Sequence, residues 1–376
     1  MSSKIHPHAT VWIMKLLYVT DRLNHHGGAP RHLLDIIQSM ASRHTVTVAA
    51  SAKDAEVTLP SSVDFVRVPG LRSADSTPGK IDKLLPLLHD ADLVHTQNVM
   101  NPTTLMETTK HRSIVTVQDH RVFCPGPGKT LPTGNACTDE MSDSHCSGCL
   151  PDDAYRSRML GLTEQRLAAL RNTDLVIALS EYMANELRML NVPNVHVLPP
   201  PTDMDCEPVT AGHGFLIAGR LVQHKGTTLA HQAWQTSGTD HPLLVAGLGR
   251  ESIHLEGSQP LGWLDRATLR RTLRQSRALL FPSRWQEPFG IIGVEALAVG
   301  TPVIAMLRGG MCDWAAAGVI PIQPGDVQGM SDAISLLTDE PNTAIKLGRA
   351  GKTYVESTFK TEDLMNKLDE LYASTC

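Results

Sequence analysis

The sequence contains no run of roughly 18 or more uninterrupted apolar residues, so it offers no obvious membrane-spanning helix. It has no excess of positive charge. Thirty-four Lys and Arg stand against 39 Asp and Glu, a net charge of −5 at pH 7. That argues against a protein whose main task is to grip a nucleic-acid backbone. The stretch Met1–Val11 lacks the apolar core of a secretory leader, so a cytoplasmic location is expected. Without a leader, seven cysteines suggest reduced thiols or a metal site rather than disulfides. Long low-complexity tracts and short-period repeats are also missing. What remains is ordinary globular composition, 41% hydrophobic and 19% charged. At 376 residues the chain exceeds one typical domain, and two are expected.

Short apolar runs alternate with helical patterns along the whole chain. Strands are expected at Lys15–Thr20, Thr45–Ala50, Val63–Val68, Asp92–Thr96, Ser113–Val117, Asp174–Leu179 and His196–Leu198. A second series follows at Phe215–Gly219, Leu243–Gly247, Arg277–Phe281 and Pro302–Ala305. Helices fall between them, for example Arg31–Ser42 and Ala154–Arg171. The residues ahead of Met14 read as a tail. Repeated β-α-β units with buried, β-branched strands read as parallel sheets covered on both faces. Pro199-Pro200-Pro201 can continue neither a helix nor a central strand, so a boundary falls near residues 199–211. Ligands of open α/β sheets bind at the carboxyl ends of the strands, and two such domains would share a cleft.

The most informative stretch runs from Phe281 to Ala298. A buried strand ends in Pro282-Ser283, a turn carries Glu287, and Pro288-Phe289-Gly290 opens a helix expected to start near Phe289. Glu295 lies eight residues after Glu287, almost two turns into such a helix. The unpaired N–H groups at a helix start offer a seat for phosphate. Two carboxylates beside that seat can accept hydrogen bonds from sugar and ribose hydroxyls. A strand, a turn and a helix with surface acids is the plainer alternative, and the flanking Pro-Ser and Pro-Phe-Gly weigh against it. Upstream, Gly219-Arg220-Leu221-Val222-Gln223-His224-Lys225-Gly226 ends another strand. Arg220 and Lys225 converging there would neutralise a departing diphosphate, where charge grows in the transition state. Two solvated surface cations are the alternative. After the first strand, Gly27-Gly28 precedes a helix and permits close backbone approach to a ligand.

These motifs together resemble the retaining glycosyltransferase family 4. The match covers nearly the whole chain from Met14 and is most specific from Ile217 to Gly310, including the E-x7-E pair and the later Gly300, Pro302, Val303 and Gly309-Gly310. The resemblance implies an α/β protein of the GT-B fold, two doubly wound Rossmann-like parallel-sheet domains facing a central cleft. Residues 14–200 would form the acceptor-side domain, 212–357 the nucleotide-sugar donor domain, and 358–376 a last helix crossing back to the first. That helix, Thr361–Tyr372, carries Leu364, Leu368 and Leu371 on one face. The resemblance assigns Glu287 to the donor sugar and Glu295 to the nucleotide ribose. It assigns Arg220 and Lys225 to the diphosphate, and the Phe289-Gly290-Ile291 backbone to sugar and phosphate. The Gly27-Gly28 loop would lie across the cleft and touch the donor phosphate or the acceptor, Gly219 would approach the donor, and Gly247 and Trp263 would lie near the base.

Two departures from the family pattern stand out. Where members carry His-Asp, this chain reads Gln118-Asp119-His120, so Asp119 with His120 as helper is expected near the reacting sugar. In Asp92–Asn98, Gln97 replaces a second histidine, and His95 reads equally as core or acceptor-site residue. The loop 119–152 gathers Cys124, Cys137, Cys146 and Cys149 with little to bury, and a structural zinc is one reading. Unligated thiols or a disulfide pair are the others. Arg266, Arg270, Arg271, Arg274 and Arg277 read as a solvated helix face, with anionic lipid or acceptor phosphate as the alternative.

The function expected is therefore transfer of a sugar from a nucleoside-diphosphate sugar, UDP- or GDP-linked, to an acceptor hydroxyl. Retention at the anomeric carbon and no catalytic metal are implied by the resemblance. The partners would be the sugar nucleotide and a glycan, lipid-linked or small-molecule acceptor, with no nucleic acid and at most peripheral membrane contact. A catalytically silent nucleotide-sugar-binding or scaffold protein, or a related sugar-phosphate synthase, are the alternatives. Sugar, base, acceptor and oligomeric state stay open at this level.

Overall fold

The computed structural model describes residues 13–71, 81–249 and 255–375. Residues 1–12 of the expected tail lie outside them. Among the described residues no helix is long and apolar enough to cross a membrane. The first sheet holds β1 (Lys15–Thr20), β2 (Thr45–Ala50), β3 (Val63–Arg67), β4 (Leu93–Gln97), β5 (Ser113–Val117), β6 (Leu175–Ala178) and β7 (Val195–Val197). They run parallel in the order β3-β2-β1-β4-β5-β6-β7. The second holds β8 (Phe215–Ala218), β9 (Leu243–Ala246), β10 (Gln259–Gly262), β11 (Ala278–Phe281), β12 (Val303–Met306) and β13 (Val319–Ile322). Its order is β10-β9-β8-β11-β12-β13, again parallel. Every residue of β4, β5, β6, β11 and β12 is buried, as strands covered by helices on both faces require.

Both sheets reverse their strand order beside the first strand of the domain, between β1 and β4 and between β8 and β11. Such reversal points open a crevice at the carboxyl ends of the strands. The loops after β1, β8 and β11, which carry the glycine pair, Arg220 and Glu287, therefore sit at these crevices. The strands expected from the sequence match to within one residue at each end. β10 and β13 were not expected. Each is an edge strand with an interior proline, Pro260 and Pro321, and proline is tolerated there because one side of an edge strand needs no ladder hydrogen bond.

The last helix, Thr361–Ser374, buries Leu364, Leu368 and Leu371 and packs against the helix Gly28–Met40 of the first domain. Its Tyr372 hydroxyl is hydrogen-bonded to Tyr18 at 2.8 Å and to His95 Nδ1 at 2.7 Å. His95 Nε2 meets Thr116 Oγ1 at 2.7 Å. His95 is thus a satisfied core residue, fully buried, and not an acceptor-site group. Nearer the helix middle, Asp369 takes Arg43 at 2.6 Å and His44 at 2.7 Å. The chain leaves the second sheet and ends inside the first domain.

Burial pushes the His95 imidazole down to about 3 and His32 down to about 4, so both are neutral near pH 7. In the unfolded chain each would take its proton near pH 6.5. Their contribution to stability is full above pH 6.5 and is lost as pH falls toward 4, on the order of a few kcal/mol between them. Thermal unfolding followed from pH 7.5 to pH 4.5 should show a falling midpoint that flattens in a His95→Gln variant. An unchanged midpoint in the parent protein would contradict this account.

Candidate functional site

A cavity of about 850 Å³ opens between the two sheets. Its walls bring together Gly27, Gly28, Asp119, Gly219, Arg220, Lys225, Gly247 and Trp263, with the loop and helix start Glu287–Ile291 and Glu295. These positions are distant in sequence and come from both domains. His120 does not line the cavity.

Glu287 is 3% exposed. Its Oε1 accepts from Lys225 Nζ at 2.6 Å and from Ser283 Oγ at 2.7 Å. Such a buried carboxylate needs this pairing, because an isolated charge in low dielectric is strongly disfavoured. Lys225 reaches it because the chain turns sharply at Gly226, φ +70°, where a side chain would collide with the Pro282 carbonyl. The backbone of Glu287 is fixed as well: its carbonyl accepts from Gly310 N at 2.7 Å.

The helix after this loop begins at Ile291, two residues later than expected, and runs to Ala298. Glu295 is consequently its fifth residue, just over one turn in. Gly290 caps the helix with no side-chain hydrogen bond, and of the first three N–H groups that of Gly293 turns back to the Gly290 carbonyl at 2.9 Å. The start of the helix Gly28–Met40 is likewise uncapped by any side chain. Gly28 lies directly against the Ile291 side chain, so two helix N-termini of opposite domains look into one space. Both favour an anion, and Arg220 and Lys225 line the same wall.

Glu295 faces Arg31 of the first domain, 4.0 Å away. Burial pushes its carboxyl up, against the pull of Arg31 and Arg266. Arg31 Nη2 has no hydrogen-bond partner among the described residues. Arg31 was missed in the sequence, because an arginine in the first turn of a helix reads as solvated until the facing domain is known. Near the opposite rim His26 and Trp263 make an edge-to-face contact at 5.6 Å, one ring from each domain.

After β5, burial pushes the Asp119 carboxyl up, but the Arg121 guanidinium outweighs it and holds the group below its usual value. Arg121 Nε donates to both oxygens at 3.0 and 2.8 Å. The two glutamines that stand in for histidines both hold the first helix. Gln97 Nε2 donates to Ala29 O at 3.4 Å, and Gln118 Nε2 to His32 Nδ1 at 2.8 Å. His120 lies behind the wall, 1% exposed, with Nε2 3.1 Å from the Tyr182 hydroxyl. Burial pushes it down to about 4.

The arginine-rich helix Arg266–Gln275 is a solvated face only in part: Arg271 is exposed and Leu273 alone is buried, while other arginines pair with acids of distant segments. Arg266 bridges Asp35 at 2.8 Å and Asp203 at 2.6 Å, and Arg274 pairs with Asp205 at 3.2 Å. Arg277, beyond its end, is 7% exposed and donates to Leu337 O. The acids lie on the first domain and on the inter-domain segment, so these contacts were invisible along the chain.

A structural zinc is one reading of Cys124, Cys137, Cys146 and Cys149, beside unligated thiols or a disulfide pair, and among the described residues no three His, Cys, Asp or Glu side chains are grouped so as to hold a metal ion. Burial and the other three cysteines push the Cys149 thiol up. Cys124 Sγ accepts from Lys129 N at 3.3 Å, and Cys137 Sγ approaches Asp139 O at 4.0 Å.

Comparison with known proteins accords with this geometry. Residues 26–205 match the family model described as Glycosyltransferase Family 4, and residues 213–354 that described as Glycosyl transferases group 1. A glycogen synthase of Mycobacterium tuberculosis is 29% identical over 180 residues, 44% of this chain and 43% of that protein. A GDP-mannose-dependent phosphatidylinositol monomannoside mannosyltransferase of Corynebacterium glutamicum is 28% identical over 41% of this chain and 45% of that protein. The aligned region thus spans less than half the length of these curated relatives. In fold, the chain resembles Anabaena HepE, solved with UDP and glucose, with a TM-score of 0.70 at 16% identity over 96% of this chain and 100% of that one. A sucrose-phosphate synthase from Thermosynechococcus elongatus scores 0.70 at 17% identity over 96% and 98%.

Removing Lys225 would leave Glu287 buried without its counter-charge. Lys225→Met should cost about 2 kcal/mol, the part exposure of Lys225 softening the full penalty. Adding Glu287→Gln should restore most of it. Chemical denaturation of the three proteins measures this, and a single variant as stable as the parent would sink the charge-balance argument.

Proposed function

The chain belongs to glycosyltransferase family 4, and from that premise we propose that it moves a sugar from a nucleoside-diphosphate sugar onto an acceptor hydroxyl, with retention at the anomeric carbon. The observation that carries this reading is Glu287, buried and paired with Lys225 at the foot of an uncapped helix N-terminus, with Arg220 and Glu295 on the same cavity wall.

In this proposal the diphosphate lies against the N–H groups at Gly290 and Ile291, between Arg220 and Lys225. Glu287 accepts from hydroxyls of the donor sugar, and Glu295 from the ribose. The bond from the anomeric carbon to the phosphate oxygen breaks, and its electron pair stays on the diphosphate. The acceptor oxygen attacks from the same face, and its proton passes to the departing phosphate oxygen. Fixed cations and helix dipoles act most strongly on this growing charge. Asp119 lines the side from which an acceptor would approach. The donor is assigned to the uridine or guanosine class. The corynebacterial relative is described as GDP-mannose-dependent and the Anabaena protein was solved with UDP.

A thermal-shift and turnover screen against UDP-, GDP- and ADP-sugars tests the assignment. One nucleotide class should raise the melting temperature, and Glu287→Gln should lower turnover by about 100-fold or more while leaving the fold intact. The anomeric proton coupling of the product, read by NMR, should match that of the donor. Chelator should leave the melting temperature unchanged. A folded protein that answers to no sugar nucleotide would overturn the proposal, and one that binds but turns over no acceptor would favour the binding-protein alternative.

A further inference from the structure

Trp285 lies two residues before Glu287 and lines the cavity beside it. Its indole is held from several sides. The rings of His120 and His224 sit 5.4 and 5.3 Å away, both steeply tilted to it. Lys225 Nζ lies 5.2 Å from its ring centre. Burial pushes both histidines down to about 4, so near neutral pH the indole packs between uncharged rings.

Part of this packing comes from the other domain, through the cysteine-bearing loop. Gly128, φ +65°, rests on the indole Nε1, where any side chain would collide. A short hairpin follows, with Thr130 bridged to Ala136 and Leu131 N donating to Asn135 O at 2.8 Å. This hairpin meets the loop that carries the tryptophan and the loop after β12. Gln286 N donates to Thr130 Oγ1 at 3.1 Å, and Arg308 Nη1 to Gly134 O at 2.6 Å. The root of the hairpin is fixed in its own domain by Lys129, 3.3 Å from Glu186. So the residue next to the buried carboxylate takes its orientation from a loop in the opposite domain.

We propose that Trp285 is a specificity-determining contact for the transferred sugar, and that the hairpin of residues 130–136 is the positioning element that sets its indole. This rests on the proposed donor site and names a residue within it. An indole is suited to the task because it offers a flat apolar surface to the C–H face of a pyranose while Glu287 takes the hydroxyls. Arg220 and the helix N-terminus hold the diphosphate independently of it, and Lys225 keeps its anchor on Glu287 when the indole is removed. The sugar and the nucleotide are therefore recognised by separable groups.

Isothermal titration with a sugar nucleotide and with its matching nucleoside diphosphate separates them. Trp285→Ala should weaken the sugar nucleotide by about tenfold and leave the nucleoside diphosphate unchanged, with Trp285→Phe recovering most of the loss. Thr130→Val, which touches no ligand, should reproduce a smaller selective loss through the misplaced indole. Equal weakening of both ligands would mean a merely structural tryptophan and overturn the inference, as would no change in either. If the parent protein binds neither ligand, the donor-site reading falls and this inference with it. The two failures are thus told apart by the parent's affinity for the bare nucleoside diphosphate.

Discussion

Glu287 is a carboxylate with almost no water around it, and charge balance at that one atom group organises the cleft. Lys225 supplies the opposite charge from the loop after β8, and Ser283 supplies a hydroxyl from the end of β11. The two loops must therefore approach closely, which the tight turn at Gly226 against Pro282 permits. Because β8 and β11 are neighbours at the point where the strand order reverses, both loops open toward the same crevice. The helix that follows starts at that crevice, where Gly290 and Ile291 line the cavity. An anion seat, a cation pair and a hydroxyl acceptor follow from one constraint.

The second organising feature is that the opposite domain takes part in holding this loop. Ser180 Oγ donates to Pro288 O at 2.5 Å, and Asp313 accepts from the N-terminal N–H groups of the helix Glu181–Met189. Thr130 holds Gln286, and Arg266 reaches Asp35. These contacts are polar and individually modest, and they fix register beside a buried apolar cluster that draws residues from both domains. The last helix adds the apolar anchorage, sinking Leu364, Leu368 and Tyr372 into the first domain. A cleft built this way can keep its walls aligned while its interior stays open to ligand.

Reading along the chain located the elements well where burial is uniform. The central strands are continuous apolar runs bounded by turn residues, and that local signal survives folding. It failed at β10 and β13, where proline suppresses the pattern and an edge position forgives it. Motif residues were legible when backbone and side chain serve the same purpose, as in Pro282-Ser283 and Gly219-Arg220. They were not legible when the role depends on a partner hundreds of residues away. Arg31, the arginines of Arg266–Gln275 and Trp285 belong to that group, and His120 errs the other way, close in sequence to Asp119 but packed behind the wall.

Local chemistry along the chain thus determined two parallel-sheet domains, the strand ends where chemistry gathers, and the acid and base types placed there. Hydrophobic periodicity, proline and glycine punctuation and helix starts are short-range properties, and a single chain records them directly. Only the tertiary structure decided which cations would meet which acids, that the cysteine-bearing loop would reach the Glu287 loop of the other domain, and that His95 belongs to the core. Those outcomes depend on the distance between groups far apart in sequence. Electrostatic and packing energies are set by that distance and by the water excluded from it, and neither is written in the order of residues.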